Sequence, residues 1–210
     1  MNLPNAITIA RIVVAPTLAV LALAPAWPLR LIAFAVFVIA AVTDYIDGKL
    51  ARSRKQETDF GRLLDPLADK ALLVGTFVPM YLLAVRFPFI TPFGDVGLAW
   101  WIIAIVLGRE LFMTIFRQAA ARRGVVIAAI GPAKWKTGFQ LVWQGSAYFW
   151  FFAATLAHDQ RWMNPVWHGF SLFNGTVGTL VMVAAVVLTI YSFVIYLRSF
   201  GRVFAAPAAK

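Results

Sequence analysis

Long apolar runs separated by short polar or proline-bearing breaks dominate the 210-residue chain. A helix that crosses a bilayer needs about 20 mostly apolar residues. Six stretches qualify, at about 7–26, 28–48, 66–87, 97–117, 137–157 and 172–197. Prolines and glycines at Pro25 and Pro28, from Pro88 to Gly97, at Gly131 and Pro132, and at Pro165 fall between these runs, where they end helices. The pattern predicts an all-α fold, an integral membrane bundle of six transmembrane helices. The chain is too short to add a soluble domain of roughly 100–150 residues, so residues 1–210 read as a single domain.

Composition agrees, since 61% of residues are hydrophobic and 13% charged, outside the range of soluble domains. Charge adds sidedness. Of 19 Lys and Arg, only Arg30, Arg86 and Arg161 fall in one set of alternate connections, and the rest fall at the other end. The end rich in Lys and Arg faces the cytoplasm, which puts both termini there. A net charge of +10 suits a surface held against anionic lipid; with most of the chain lipid-soluble, no nucleic-acid partner is expected. The absence of Cys excludes disulfides and thiolate metal sites. His158 and His168 read as residues of one loop on the charge-poor side, which argues against a zinc centre. The first apolar stretch has no positive charge before Arg11, so it reads as a retained helix rather than a cleaved leader.

Chemistry concentrates between Thr43 and Lys70, which hold six of the nine acidic residues. Asp44 and Asp47, three apart, share one helical face; Asp65 and Asp69, four apart, share another. An Asp at the centre of a span costs roughly 3 kcal/mol, so four near membrane depth call for a hydrated cavity, a cation or both. Oxygen-only donors select a hard cation such as Mg²⁺ or Mn²⁺. Four carboxylates are enough for two ions, the arrangement that clamps attacking and leaving oxygens in phosphoryl chemistry. Gly48, Ala51 and Gly61 leave a notch without side chains that fits a flat base, although Gly48 also reads as a helix C-terminal residue and Gly61 as a turn residue.

The run Asp44-Tyr-Ile-Asp47-Gly48-Lys-Leu-Ala51-Arg52, followed by Gly61, Asp65 and Asp69, resembles at every fixed position the signature of the CDP-alcohol phosphatidyltransferases. The resemblance implies a six-helix protein of the cytoplasmic (inner) membrane, a homodimer, with a dinuclear metal site facing the cytoplasm. It implies Asp44, Asp47, Asp65 and Asp69 as metal ligands and Asp69 as general base. It further implies a nucleotide pocket at Asp44, Gly48, Ala51, Arg52, Gly61 and Asp65. In the implied reaction an acceptor hydroxyl attacks the phosphorus that carries diacylglycerol in CDP-diacylglycerol, and CMP leaves.

Pro4-Asn5-Ala-Ile-Thr8-Ile-Ala-Arg11, Arg109-Glu110 with Arg117, and Lys134-Trp-Lys136-Thr137 with Gln140 are similar to the branch of that family that uses glycerol 3-phosphate. Ala133 departs from it, standing where that branch usually has Gly. This likeness adds Asn5 and Thr8 to the nucleotide pocket and makes Arg109, Arg117, Lys134 and Lys136 the acceptor phosphate site. Chemistry agrees, because an Arg inside a span needs an anionic partner, which Glu110 or a substrate phosphate supplies, and two lysines at a helix entrance suit a phosphate. Inositol phosphate and phosphatidylglycerol are the alternative acceptors. A cation transporter and a noncatalytic lipid-binding scaffold are the alternatives of another class. The many Trp residues, among them Trp100, Trp150, Trp162 and Trp167, read as an interfacial belt.

Overall fold

Six helices follow one another: α1 (Leu3–Leu23), α2 (Trp27–Leu50), α3 (Asp59–Arg86), α4 (Trp100–Arg122), α5 (Gly131–Asp159) and α6 (Pro165–Phe200). A short antiparallel hairpin, β1 (Phe89–Thr91) and β2 (Gly94–Val96), joins α3 to α4. The computed structural model describes residues 3–50, 59–125, 127 and 131–200, with side chains except at 3–8, 44–50, 59–67, 69 and 132. Each expected span falls within or close to one helix, and most helices run several residues beyond the apolar core of their span. By length and composition α6 is able to cross a membrane, and α1 and α2 carry shorter apolar stretches, Ile9–Leu23 and Trp27–Thr43.

Helix ends follow local chemistry. Asn164 caps α6 through its side-chain oxygen, which accepts from the Trp167 backbone N–H at 2.8 Å, and Pro165 takes the first helical position. The ends of α4 and α5 share one design. Val125 N–H donates to the Ala120 carbonyl and Gly124 N–H to that of Ala121; Trp162 N–H donates to Ala157 and Arg161 N–H to His158. Both are paired 6→1 and 5→2 caps, which need a left-handed residue after the helix. Gly124 supplies it in α4 at φ 77°, but in α5 the residue is Arg161 at φ 51°.

The packing of α6 inverts that of a soluble helix. Its buried positions are mostly small or polar, including Ser171, Asn174, Gly175, Gly178, Ala185, Thr189 and Ser192, spaced mainly by three and four. Val166, Phe173, Leu180, Val183, Val187 and Ile190 point outward. Small interior residues let backbones approach closely, as in helices packed within lipid. The same device joins α1 to α3, where a Cβ on Gly75 would stand 2.7 Å from the Ala15 carbonyl oxygen. Pro79 inside α3 has no N–H for the Gly75 carbonyl. Next to it, α5 ties down the loosened turn: Tyr148 Oη donates to the Thr76 carbonyl at 2.8 Å and Gln144 Nε2 to Thr76 Oγ1 at 2.9 Å.

Three expectations change. The segment from Pro88 to Gly97, read only as a break, forms the hairpin, because Phe89 and Ile90 pack on the glycine-bared face of α6. Prolines are not confined to the breaks, since Pro16 and Pro79 lie inside helices. His158 and His168 do not share a loop; they sit on the last turn of α5 and the first turns of α6.

The hairpin makes a direct test of this packing. A Cβ at Gly175 would stand 1.9 Å from the Ile90 carbonyl oxygen, whereas one at Gly169 meets open space. Gly175→Ala is expected to cost about 1–3 kcal/mol through overpacking and to lower the thermal midpoint in detergent. Gly169→Ala is expected to leave it unchanged or raise it slightly.

Candidate active site

Helical backbone carries all four aspartates. Asp44 and Asp47 lie on the last two turns of α2, and Asp65 and Asp69 on the second and third turns of α3. The spacing of three and of four on continuous helices gives each pair a common face. One pair thus stands where α2 ends and the other where α3 begins. Their side chains lie outside the described residues, as do those of Asn5, Thr8, Gly48 and Gly61, and Ala51 and Arg52 lie outside altogether.

The side chains of Arg109, Arg117, Lys134 and Lys136 are described, and two of them meet on a carboxylate. Glu110 Oε1 accepts from Arg109 Nη1 at 2.9 Å and from Lys136 Nζ. Arg109 Nη2 also donates to Ser192 Oγ at 3.1 Å, and Arg117 Nη2 donates to Tyr196 Oη at 3.0 Å. Both guanidinium groups lie beside the Tyr196 ring, 5.8 and 5.4 Å from its centroid. Helices α4, α5 and α6 thus meet at one polar cluster.

Burial makes the cluster costly to leave unpaired. Arg109 is 8% exposed and Lys136 3%. Glu110 pairs with two of the three cations, Arg109 and Lys136, while the exposed Arg117 bonds Tyr196 instead. Two donors at the same level, Arg109 Nε and Gln140 Nε2, are buried without an acceptor among the described residues. Gln140 lies one helical turn beyond Lys136. A positive cluster with spare donors has the chemistry of an anion site.

The cluster is tied to the aspartate helix. Lys70, next in sequence to Asp69, donates from Nζ to Thr114 Oγ1 at 2.9 Å, and Thr114 Oγ1 donates to the Glu110 carbonyl at 3.0 Å. The helix turn that carries Asp69 therefore stands beside the turn that carries Glu110.

The expected acceptor set divides. Arg109, Arg117 and Lys136 come together, but Lys134 does not: it is exposed while Lys136 is buried. Residues two apart on a helix face nearly opposite ways, so the two ammonium groups do not converge. Glu110 is the partner of Arg109, one of the two that the sequence offered; sequence reading missed its pairing with Lys136 and the parts of Lys70, Thr114, Ser192 and Tyr196. The stripe of small and polar residues along the apolar run of α6 was the available signal for Ser192 and Tyr196.

Comparison with known proteins settles the family. The sequence model of the CDP-alcohol phosphatidyltransferases matches residues 1–191. The chain belongs to this family. Within it, the chain is 38% identical over 145 residues to a probable phosphatidylglycerophosphate synthase of Mycobacterium tuberculosis, covering 67% of this chain and 63% of that protein. It is 37% identical over 153 residues to the CDP-diacylglycerol--glycerol-3-phosphate 3-phosphatidyltransferase of Bacillus subtilis, covering 67% of this chain and 73% of that one. The protein of the same name from Salmonella choleraesuis is 30% identical over 206 residues, covering 94% of each chain. The match thus spans somewhat under two thirds of the mycobacterial relative and nearly all of the Salmonella one.

For this family member, Glu110→Ala is expected to destabilise strongly. It leaves Arg109 and Lys136 buried without their carboxylate, and removal of one partner from a buried pair costs roughly 3–5 kcal/mol. Thermal unfolding in detergent reads the effect. Lys134→Ala, on the exposed side of the α5 turn that carries Lys136, is expected to stay within about 0.5 kcal/mol of the parent; equal effects from the two would refute the assignment of Glu110 as the hub.

Proposed function

We propose that the protein transfers the phosphatidyl group of CDP-diacylglycerol to glycerol 3-phosphate, giving phosphatidylglycerophosphate and CMP. The observation that carries this reading is the buried pair Arg109 and Lys136 on Glu110, with the exposed Arg117 beside them on Tyr196, joined through Thr114 and Lys70 to the Asp69 turn. A phosphorylated acceptor supplies the anion that this excess of cations lacks, and the unmatched donors of Arg109 and Gln140 suit its oxygens. The relatives named for glycerol 3-phosphate as acceptor support the same reading.

The whole chain acts in this reading as one multi-pass domain of the inner membrane, paired as a homodimer, with six spanning helices and both termini in the cytoplasm. The outward apolar face of α6 supports a lipid surround. The oxygen-only donors at Asp44, Asp47, Asp65 and Asp69 suit two Mg²⁺ or Mn²⁺ ions, which when bound supply charge neutralisation and polarisation at the reacting phosphate. Asn5, Thr8, Gly48, Ala51, Arg52 and Gly61, with Asp44 and Asp65, cradle the nucleotide. Arg109, Arg117 and Lys136 hold the acceptor phosphate so that its free hydroxyl stands near the α3 carboxylates; Lys134 adds a cation at the entrance. Asp69 takes the proton from that hydroxyl. The hydroxyl oxygen then forms a bond to the phosphorus that carries diacylglycerol, the bond from that phosphorus to the CMP oxygen breaks, and CMP departs.

CMP release by purified protein in micelles tests the reading. Release is expected to require CDP-diacylglycerol, divalent metal and glycerol 3-phosphate together. Release driven only by inositol phosphate or phosphatidylglycerol would change the acceptor, and metal flux without nucleotide lipid would favour a transporter. Asp69→Asn is expected to lower turnover by about 10²-fold or more while retaining lipid binding.

A further inference from the structure

The end of the bundle away from the aspartates holds an open cavity of about 820 Å³, walled by the end of α3, the hairpin, the end of α5 and the start of α6. Its composition is unusual for this end of the molecule. Arg86 and Arg161 line it, and Arg30 stands behind it. These are the three basic residues that lie outside the Lys/Arg-rich end. Arg30 is buried, donates from Nε to the Ala24 carbonyl at 3.0 Å and from Nη1 to Thr155 Oγ1, and lies 4.8 Å over the Phe87 ring. Arg86 lies 5.8 Å from the same ring. Three cations from three helix ends have been drawn to one place.

Their counter-charges are incomplete. The carboxylates at this end are Asp95, which lines the cavity, and Asp159, whose oxygen lies 3.6 Å from His158 Nδ1. Among the described residues neither Arg86 nor Arg161 forms an ion pair. Arg161 also holds the left-handed position that Gly124 fills at the matching cap of α4. A side chain in that conformation costs stability where glycine would not, so the arginine is kept against a local penalty.

The opposite wall is aromatic. Trp150 and Trp167 stack with ring planes 3° apart and centroids 5.6 Å apart, and Trp162 meets Trp167 edge-on at 5.8 Å. Trp150 is fixed from behind, its Nε1 donating to the carbonyls of Phe87 and Pro88. Met163, which lines the cavity after α5, is almost fully exposed, and so is Phe93 at the tip of the hairpin whose Ile90 and Asp95 line it. Exposed apolar residues beside tryptophans mark the boundary between lipid and water.

We propose that this cavity binds the headgroup of an anionic phospholipid from the leaflet opposite the aspartate site. Arg86 and Arg161 take the phosphate, the tryptophan wall takes the glycerol and upper acyl carbons, and Phe93 and Met163 sit in the surrounding lipid. A free phosphate ion accounts for the arginines but leaves the aromatic wall and apolar rim unused. The proposal rests on the membrane reading above, but its readout is lipid retention, which is separate from CMP release.

Native mass spectrometry of the full-length protein, released from micelles after titration with phosphatidylglycerol or phosphatidylcholine, tests it. The parent is expected to retain phosphatidylglycerol in preference to phosphatidylcholine. The double variant Arg86→Gln with Arg161→Gly is expected to weaken phosphatidylglycerol retention about tenfold, the scale of charge-assisted bonds to phosphate. Arg161→Gly keeps the cap and relieves its backbone, so loss of lipid is not loss of fold. Arg122→Gln removes a cation from the opposite end and is expected to leave retention unchanged. Equal retention of both lipids, unaltered retention in the double variant, an equal drop in Arg122→Gln, or saturation by inorganic phosphate alone would each overturn the proposal.

Discussion

A charge carried into a bundle whose outer face is apolar has to find its counter-charge inside, because the surround cannot solvate it. Glu110 meets that constraint for Arg109 and Lys136, and through them α4 and α5 are locked at one level. Ser192 and Tyr196 bring α6 to the same point. The Lys70–Thr114 contact adds α3. Four helices are thus registered by polar bonds that apolar packing alone, which tolerates sliding, does not specify.

That cluster is also where structure and chemistry compete. A buried ion pair with complete partners adds modestly to stability; one with surplus cations and unmatched donors is held short of its optimum.

The far end follows another logic. There the helices are closed by a hairpin seated on Gly175 and Gly178 of α6, by indole bonds to the Phe87 and Pro88 carbonyls, and by arginines laid over Phe87. Aromatic faces and guanidinium groups suit an interface in which one side is wet and the other apolar.

Much of this was legible in the chain. Apolar run length dictated the six helices, since a backbone in an apolar surround has to satisfy its own hydrogen bonds, and the spacing of Asp44, Asp47, Asp65 and Asp69 marked two acidic faces before any coordinates. The hairpin was not legible. Its strands are three residues each, too short for a periodic signal, and they depend on glycines more than 75 residues later in the chain. Nor could sequence divide Lys134 from Lys136: both read as cations at a helix start, and only the position of α4 decides which one meets Glu110. The sequence by itself determined helix number, the ends that bear charge and the family's acidic signature, all local or compositional properties. Tertiary structure decided which buried charges share a partner, where the hairpin rests and which arginines meet at the far cavity, because those depend on side chains that only packing brings within reach.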